Sequence, residues 1–249
     1  MITLFCDLDN TIVYSHRREL TSAKRVAEML NGIPQSYITE RTFNYLSSCQ
    51  MVSFIPVTTR TLTQYKRLET TLNCLNCEYA IILNGAVLIR NGEIDKDWLS
   101  ESKESTQKSI IEMNRAFCIL KKNSTKKPYF DEFLTYVSVA DPQNVAKQIE
   151  SEVDMTLLNI FNDSRKVYCT PAAINKGNAV KRFSSIRGSD ITIGAGDCLN
   201  DVSMLNNVDI AIVPESLAPY VSNVNKVIVP PFEIMSDTIC LEIEKLIHK

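Results

Sequence analysis

Apolar runs of strand length recur along this chain, and each stops abruptly at a polar cluster. Residues 2–6 end at Asp7-Leu8-Asp9, residues 52–58 lead into Thr59-Arg60, residues 79–83 end at Asn84-Gly85, and residues 190–196 run into Asp197. Two further runs cover 209–213 and 226–229. Runs this short and this continuously apolar are the pattern of strands covered on both faces. Between them the spacing turns helical. Leu62, Tyr65, Leu68 and Leu72 form one stripe over 61–73, and Ile239, Ile243 and Leu246 form another over 236–247. A helix is also expected to open near Lys176. Strand alternating with helix predicts an α/β fold in three layers around a parallel sheet. The loops at the carboxyl ends of such strands converge on one crevice, so the polar clusters should meet there.

The rhythm is interrupted twice. Residues 24–38 place Asn31-Gly32 between two short apolar segments, the signal for a tight hairpin, and Thr39 then reads as the cap of a helix to about Cys49 with Phe43 and Leu46 inward. After Gly85 the pattern becomes α+β. A polar stretch runs from Glu101 to Lys108, a helix is expected over 103–120, and a polar loop spans Lys121 to Pro128. A strand at 134–139, a helix at 142–152 and strands at 157–161 and 166–170 follow. Residues 86–170 therefore read as an inserted domain in a core made of 1–85 and 171–249.

At 249 residues the chain suits one large domain or two modest ones, and its net charge of −2 offers no bulk attraction to nucleic acid or an anionic membrane. The opening apolar residues stop at Asp7, too short a run for a signal peptide or a span, which predicts a soluble, cytoplasmic protein. Its cysteines are then expected to be reduced. Cys74-Leu75-Asn76-Cys77 has the spacing of half a zinc site, but His16 and His248 are the only histidines, so ordinary thiols are expected.

The crevice would gather Asp7, Asp9, Asp197 and Asp201 with Lys176 at a helix start. Carboxylates crowded together resist ionisation, and a hard cation with oxygen ligands removes the repulsion; Mg²⁺ suits one or two carboxylates plus a substrate phosphate. With that charge neutralised, an aspartate can attack phosphorus and carry the phosphoryl group, the lysine keeping it ionised. Asp9, two residues on, is placed to protonate the leaving oxygen and later take a proton from water. Thr58 offers a hydroxyl to the phosphoryl oxygens. Thr59, Arg60 and Asn200, in the same loops, are expected on the substrate side.

Together these residues resemble the haloacid dehalogenase superfamily. Asp7-Leu-Asp-Asn-Thr11 matches its first motif, Thr58 the second, Asn175-Lys-Gly177 the third and Gly196-Asp-Cys-Leu-Asn-Asp201 the fourth. The resemblance implies a Rossmann-like core and a magnesium-dependent phosphatase acting through an aspartyl phosphate on Asp7. Its metal ligands would be the Asp7 carboxylate, the Asp9 backbone carbonyl and Asp197, with Asp201 supporting the ion directly or through water. The insertion is similar to the type II cap of the Cof-like and sugar-phosphate phosphatases, where Asn84-Gly85 would line the substrate side. Thr59 stands where that subgroup carries glycine. The stretch from Asp7 to Thr58 is longer than the subgroup's, the excess falling in the 24–38 hairpin as a flap or as surface padding.

The expected substrate is a small phosphorylated metabolite, a sugar phosphate by subgroup analogy. The alternatives are a phosphotransferase or phosphomutase on the same core, or a regulatory binding protein. Gly194-Ala-Gly196 lacks the third glycine of a dinucleotide loop. His16, Arg17 and Arg18, and the basic run at Lys121, Lys122, Lys126 and Lys127, read as exposed loop charge; Trp98 and Tyr129 read as packing residues.

Overall fold

Ile2–Cys6 is buried at every residue, as its unbroken apolar character requires, and it lies inside a five-stranded parallel sheet. The computed structural model of the chain describes residues 1–163 and 165–248. The chain opens with β1 (Ile2–Cys6), β2 (Tyr14–Ser15), β3 (Lys24–Leu30), β4 (Ile33–Thr39) and α1 (Glu40–Ser48), followed by β5 (Val52–Pro56), α2 (Leu62–Lys66), α3 (Glu69–Cys74) and β6 (Tyr79–Ile82). The middle holds β7 (Val87–Arg90), β8 (Glu93–Ile94), α4 (Lys96–Thr106), α5 (Ile110–Lys122), β9 (Tyr129–Phe130), β10 (Thr135–Ser138), α6 (Pro142–Glu152), β11 (Leu158–Asn162) and β12 (Lys166–Pro171). Last come α7 (Lys176–Ile186), β13 (Ile191–Ala195), α8 (Val202–Leu205), β14 (Ile210–Pro214), β15 (Lys226–Val229) and α9 (Met235–Ile247).

The parallel sheet has the order β15-β14-β13-β1-β5, and a parallel bridge from Val57 to Ile81 continues it to β6. The chain leaves β1 for β5 on one side and returns to β13 on the other. This is the switch point at which a parallel sheet opens a crevice. Register does the rest: Cys6 lies opposite Ala195 on one neighbour and Pro56 on the other, so Asp7, Val57 and Gly196 are the next residues at one level.

The hairpin forms as the sequence requires. Asn31 (φ 52°) and Gly32 (φ 77°) supply the two left-handed positions of a two-residue turn, and the β2-β4-β3 sheet stands beside the crevice. Thr39 caps α1 by accepting the Thr42 N–H (3.1 Å), although Thr42 and Leu46 are the buried positions and Phe43 is half-buried. The helix expected over 61–73 is divided into α2 and α3 at Arg67–Leu68, with Tyr65, Leu68 and Leu72 still inward.

One correction concerns the middle segment. The helix expected from 103 begins at Lys96, because Asp95 caps it through the Trp98 N–H (2.9 Å), and a 3₁₀ turn at Gln107–Ser109 separates it from α5. Moreover Leu88 and Trp98 join Phe5, Ile55 and Phe183 in a cluster against the parallel sheet, with Trp98 Nε1 donating to the Gly85 carbonyl (3.1 Å). A separate apolar cluster, with Met113, Ile119, Val137, Ile149 and Val167, lies between α5, α6 and the antiparallel sheet β11-β12-β10-β9. Side chains alternate along that second sheet, so as Val137 and Val167 face its helices, Tyr136, Lys166 and Tyr168 face the opposite way. No helix among the described residues is long and apolar enough to cross a membrane.

Candidate active site

Asn175 caps α7 through the Asn178 N–H (2.8 Å), which starts the helix at Lys176 and aims that side chain into the crevice. Lys176 is 1% exposed, and its Nζ donates to Asp7 Oδ1 (2.5 Å) and to Asp201 Oδ1 (2.6 Å). Burial alone would drive this ammonium down, but Asp201 and Asp7 hold it well above the usual lysine range. The lysine is therefore a fixed cation between two aspartates.

The close seat of α7 depends on Gly177. A Cβ there would meet the Ser203 backbone oxygen at 2.4 Å and its carbonyl carbon at 2.7 Å. Gly177→Ala is therefore expected to cost about 3 kcal/mol, read as a lowered urea midpoint. A loss below about 0.5 kcal/mol would mean that α7 shifts freely and that Lys176 is not held by this contact.

The fourth-motif loop is organised by Asp201, which is fully buried. Its Oδ2 accepts the N–H groups of Asp197 and Cys198 (both 3.0 Å), while Oδ1 takes Lys176. Both oxygens are thus engaged by the protein, so Asp201 positions the loop and the lysine. Asp197 is half-buried; burial first, then Asp201, pushes its carboxyl up to about 7, against the pull of Lys176. Asp7 behaves alike: burial drives it well above the usual range against the pull of Lys176, and Asp201, Asp197 and Asp9 push it the same way as burial. One lysine does not balance this cluster.

That imbalance tests whether a divalent cation fits. The ligand atoms of Asp197, Cys198 and Asp201 lie within 4.8 Å of one another, and Lys176 takes only Oδ1 of the Asp7 carboxylate. Oxygen donors in a crowded, partly protonated cluster suit a hard cation. The Cys198 thiol donates to Asp201 Oδ2 (3.3 Å), and a soft sulfur is a poor match for such an ion.

Asp9 points elsewhere. Arg60 grips it in a fork, Nε to Oδ2 (2.8 Å) and Nη2 to Oδ1 (2.7 Å). Burial would raise the Asp9 carboxyl, but the guanidinium outweighs it and holds the group below the usual carboxylate range. Arg60, expected on the substrate side, is thus 8% exposed and occupied with Asp9. Thr58 is buried, and its Oγ1 accepts the Arg60 N–H (3.2 Å), leaving its own proton to donate into the crevice. Thr59 is half-exposed beside it.

The remaining expected substrate-side residues sit deeper. Asn84 is fully buried at φ 60°; its N–H donates to the Thr58 carbonyl (2.9 Å), its Nδ2 to the Ile174 carbonyl (3.3 Å), and its Oδ1 accepts Asn200 Nδ2 (2.8 Å). Asn84 and Asn200 therefore tie four crevice loops together, and Gly85 packs against α7. Sequence reasoning missed Glu28, a buried carboxylate from the hairpin that reaches Arg60 Nη2 (3.0 Å), and Gln64, whose Nε2 donates to Tyr136 Oη (3.0 Å) across the crevice. Neither belongs to a strand-end cluster, and neither carries a local signature of the site in residue type.

The model of the haloacid dehalogenase-like hydrolase family matches residues 91–232, more than half of the chain and including Lys176, Asp197 and Asp201. Among solved structures, the Synechocystis sp. PCC6803 sucrose-phosphatase bound to sucrose and phosphate is 13% identical with a TM-score of 0.64, over 99% of this chain and 97% of that one. A haloacid dehalogenase subclass IIB sugar phosphatase is 15% identical with a TM-score of 0.65, covering 99% of both chains. A Thermoplasma acidophilum protein is 14% identical with a TM-score of 0.62, over 98% of this chain and 99% of that one. At these identities the likeness is one of fold. No curated protein sequence is matched.

Proposed function

The chain belongs to the haloacid dehalogenase-like hydrolase family, and within it we propose a magnesium-dependent phosphatase of sugar phosphates that works through Asp7. The observation that carries this reading is the buried Asp7–Lys176–Asp201 triad at the switch point of the sheet, with Asp9 two residues away.

Asp7, the Asp9 carbonyl and Asp197 would hold Mg²⁺, with Asp201 behind them; the ion supplies charge neutralisation for the substrate phosphate and keeps the carboxylates ionised. Asp7 attacks phosphorus, the P–O bond to the leaving group breaks, and Asp9 gives that oxygen a proton. Water then attacks the aspartyl phosphate, passes its proton to Asp9, and phosphate leaves with Asp7 regenerated. Lys176 holds Asp7 in line, and the Thr58 hydroxyl donates to a phosphoryl oxygen. For Asp9 to carry a proton, one arm of the Arg60 fork must release its oxygen while the other holds the carboxyl in direction, since the full fork favours the ionised form.

We propose that the inserted segment acts as a cap that excludes water and selects the leaving group. Support comes from a ladder of rings on its crevice face. Tyr129 and Tyr136 stack at 5.3 Å, Tyr136 and Tyr168 meet at 5.4 Å, and Phe161 and Tyr168 stack at 5.1 Å, with Lys166 Nζ 5.2 Å from the Tyr136 centroid. Flat apolar faces beside a few polar groups suit a sugar ring. All eight cysteines are unpaired, which suits a reducing compartment such as the cytoplasm.

The test is a screen of sugar phosphates and other phosphorylated metabolites, with Mg²⁺ and with EDTA, following inorganic phosphate release. The expected result is Mg²⁺-dependent release that is strongest among sugar phosphates. Transfer to an added acceptor sugar without phosphate release would favour the phosphotransferase instead. Turnover undiminished by EDTA would remove the metal from the mechanism.

A further inference from the structure

The hairpin brings one buried charge into the site. Glu28 is 4% exposed, and the β3–β4 pairing slips on both sides of it, between Val26 and Glu28 and between Glu28 and Met29. Such bulges re-aim a side chain, and here the carboxylate turns inward. Its Oε2 receives Arg60 Nη2 (3.0 Å) and Ser36 Oγ (3.3 Å), and its Oε1 lies 2.7 Å from Arg67 Nε.

Arg60 therefore stands between two carboxylates of unequal freedom. Glu28 is enclosed, whereas the Asp9 side chain is 54% exposed toward the crevice. A guanidinium is a rigid planar fork, so the partner on one side fixes the direction it offers on the other. A third contact, Nη1 to the Gln64 carbonyl (3.2 Å), completes its seat. Without Glu28 the buried fork keeps only Asp9 and one carbonyl, and it is free to tilt toward solvent, taking Asp9 with it.

We infer that Glu28 is a positioning residue for acid–base chemistry: through Arg60 it fixes the direction of the Asp9 carboxyl, which makes the hairpin a working part of the site. The inference rests on the phosphatase reading given above. A misaimed Asp9 handicaps leaving groups that need a proton and spares those that leave as stable anions.

The experiment compares kcat/KM for phenyl phosphate and p-nitrophenyl phosphate with Mg²⁺ in the wild type and Glu28→Gln. The two esters differ little in shape, but phenolate needs protonation far more than p-nitrophenolate. Glu28→Gln is expected to lower kcat/KM about 10-fold for phenyl phosphate and less than about 2-fold for p-nitrophenyl phosphate. Should Glu28→Gln not fold, Ser36→Ala, which strips a single hydrogen bond from Glu28, is expected to change the ratio of the two rates about 3-fold. An equal loss with both esters, or an unchanged ratio in the folded variant, means that Glu28 only braces the hairpin and overturns the inference. If neither ester nor any member of the sugar-phosphate screen is hydrolysed, the phosphatase reading fails first and the inference falls with it.

Discussion

Asp7→Asn is expected to lower kcat by about 10⁴-fold or more while leaving the thermal midpoint within a few degrees of wild type. The two halves of that expectation have different origins. An amide keeps the shape of the carboxylate but is a far weaker nucleophile toward phosphorus, so the phosphoenzyme does not form. Folding is spared because Asp7 belongs to a cluster with too much negative charge: burial and its carboxylate neighbours already oppose its ionisation. Lys176 meanwhile keeps its 2.6 Å contact with Asp201. The checks are steady-state kinetics on the best substrate of the screen, acid-quench labelling for a phosphoenzyme, and a melting curve. Activity above about a tenth of wild type would exclude Asp7 as the nucleophile.

The positions of Asp7, Lys176 and Asp201 are legible in the sequence because each is fixed by a local rule. Asp7 ends a strand too apolar to lie anywhere but inside a sheet. Asn175 is a helix cap by residue type, which sends Lys176 into the crevice, and the fourth-motif loop follows a strand of the same kind. The turn at Asn31-Gly32 is equally local, since both residues tolerate positive φ. Arg60 is different. Its position at a strand end is readable, but its partner is not, because a guanidinium pairs with whichever carboxylate tertiary packing brings within reach. That partner is Asp9 on one side and Glu28 on the other, and Glu28 faces inward only because of a bulge with no signature in residue type. The start of α4 was hidden by composition: a polar helix with few inward positions shows no stripe, and the Asp95 cap was the only local cue. The burial of Trp98 against Gly85 and Arg182 likewise depends on a long-range contact.

Lys176→Met should produce the largest loss of stability. The substitution removes the donor shared by Asp7 Oδ1 and Asp201 Oδ1, both buried, and leaves two carboxylates facing an apolar chain. Breaking a buried ion pair from one side costs about 3–5 kcal/mol. The loss should depend on pH in a stated direction. Removing the cation raises the folded-state pKa of Asp7 further, so above the ordinary carboxylate range the folded protein holds a proton that the unfolded chain has released. Stability then falls as pH rises from about 4 through the folded value, and the variant should be closest to wild type at about pH 4 and below. Metal-free wild type should show a weaker form of the same slope, because the Asp197 carboxyl is raised to about 7. If the folded cluster holds Mg²⁺ as proposed, saturating metal should flatten the wild-type slope and recover about 3 kcal/mol in the variant at a hundredfold excess over Kd. Urea denaturation from acid to neutral pH, with Mg²⁺ and with EDTA, measures each of these terms. A variant whose stability neither depends on pH nor responds to Mg²⁺ would mean that the carboxylates do not share a cation site, and that Lys176 is held there by packing alone.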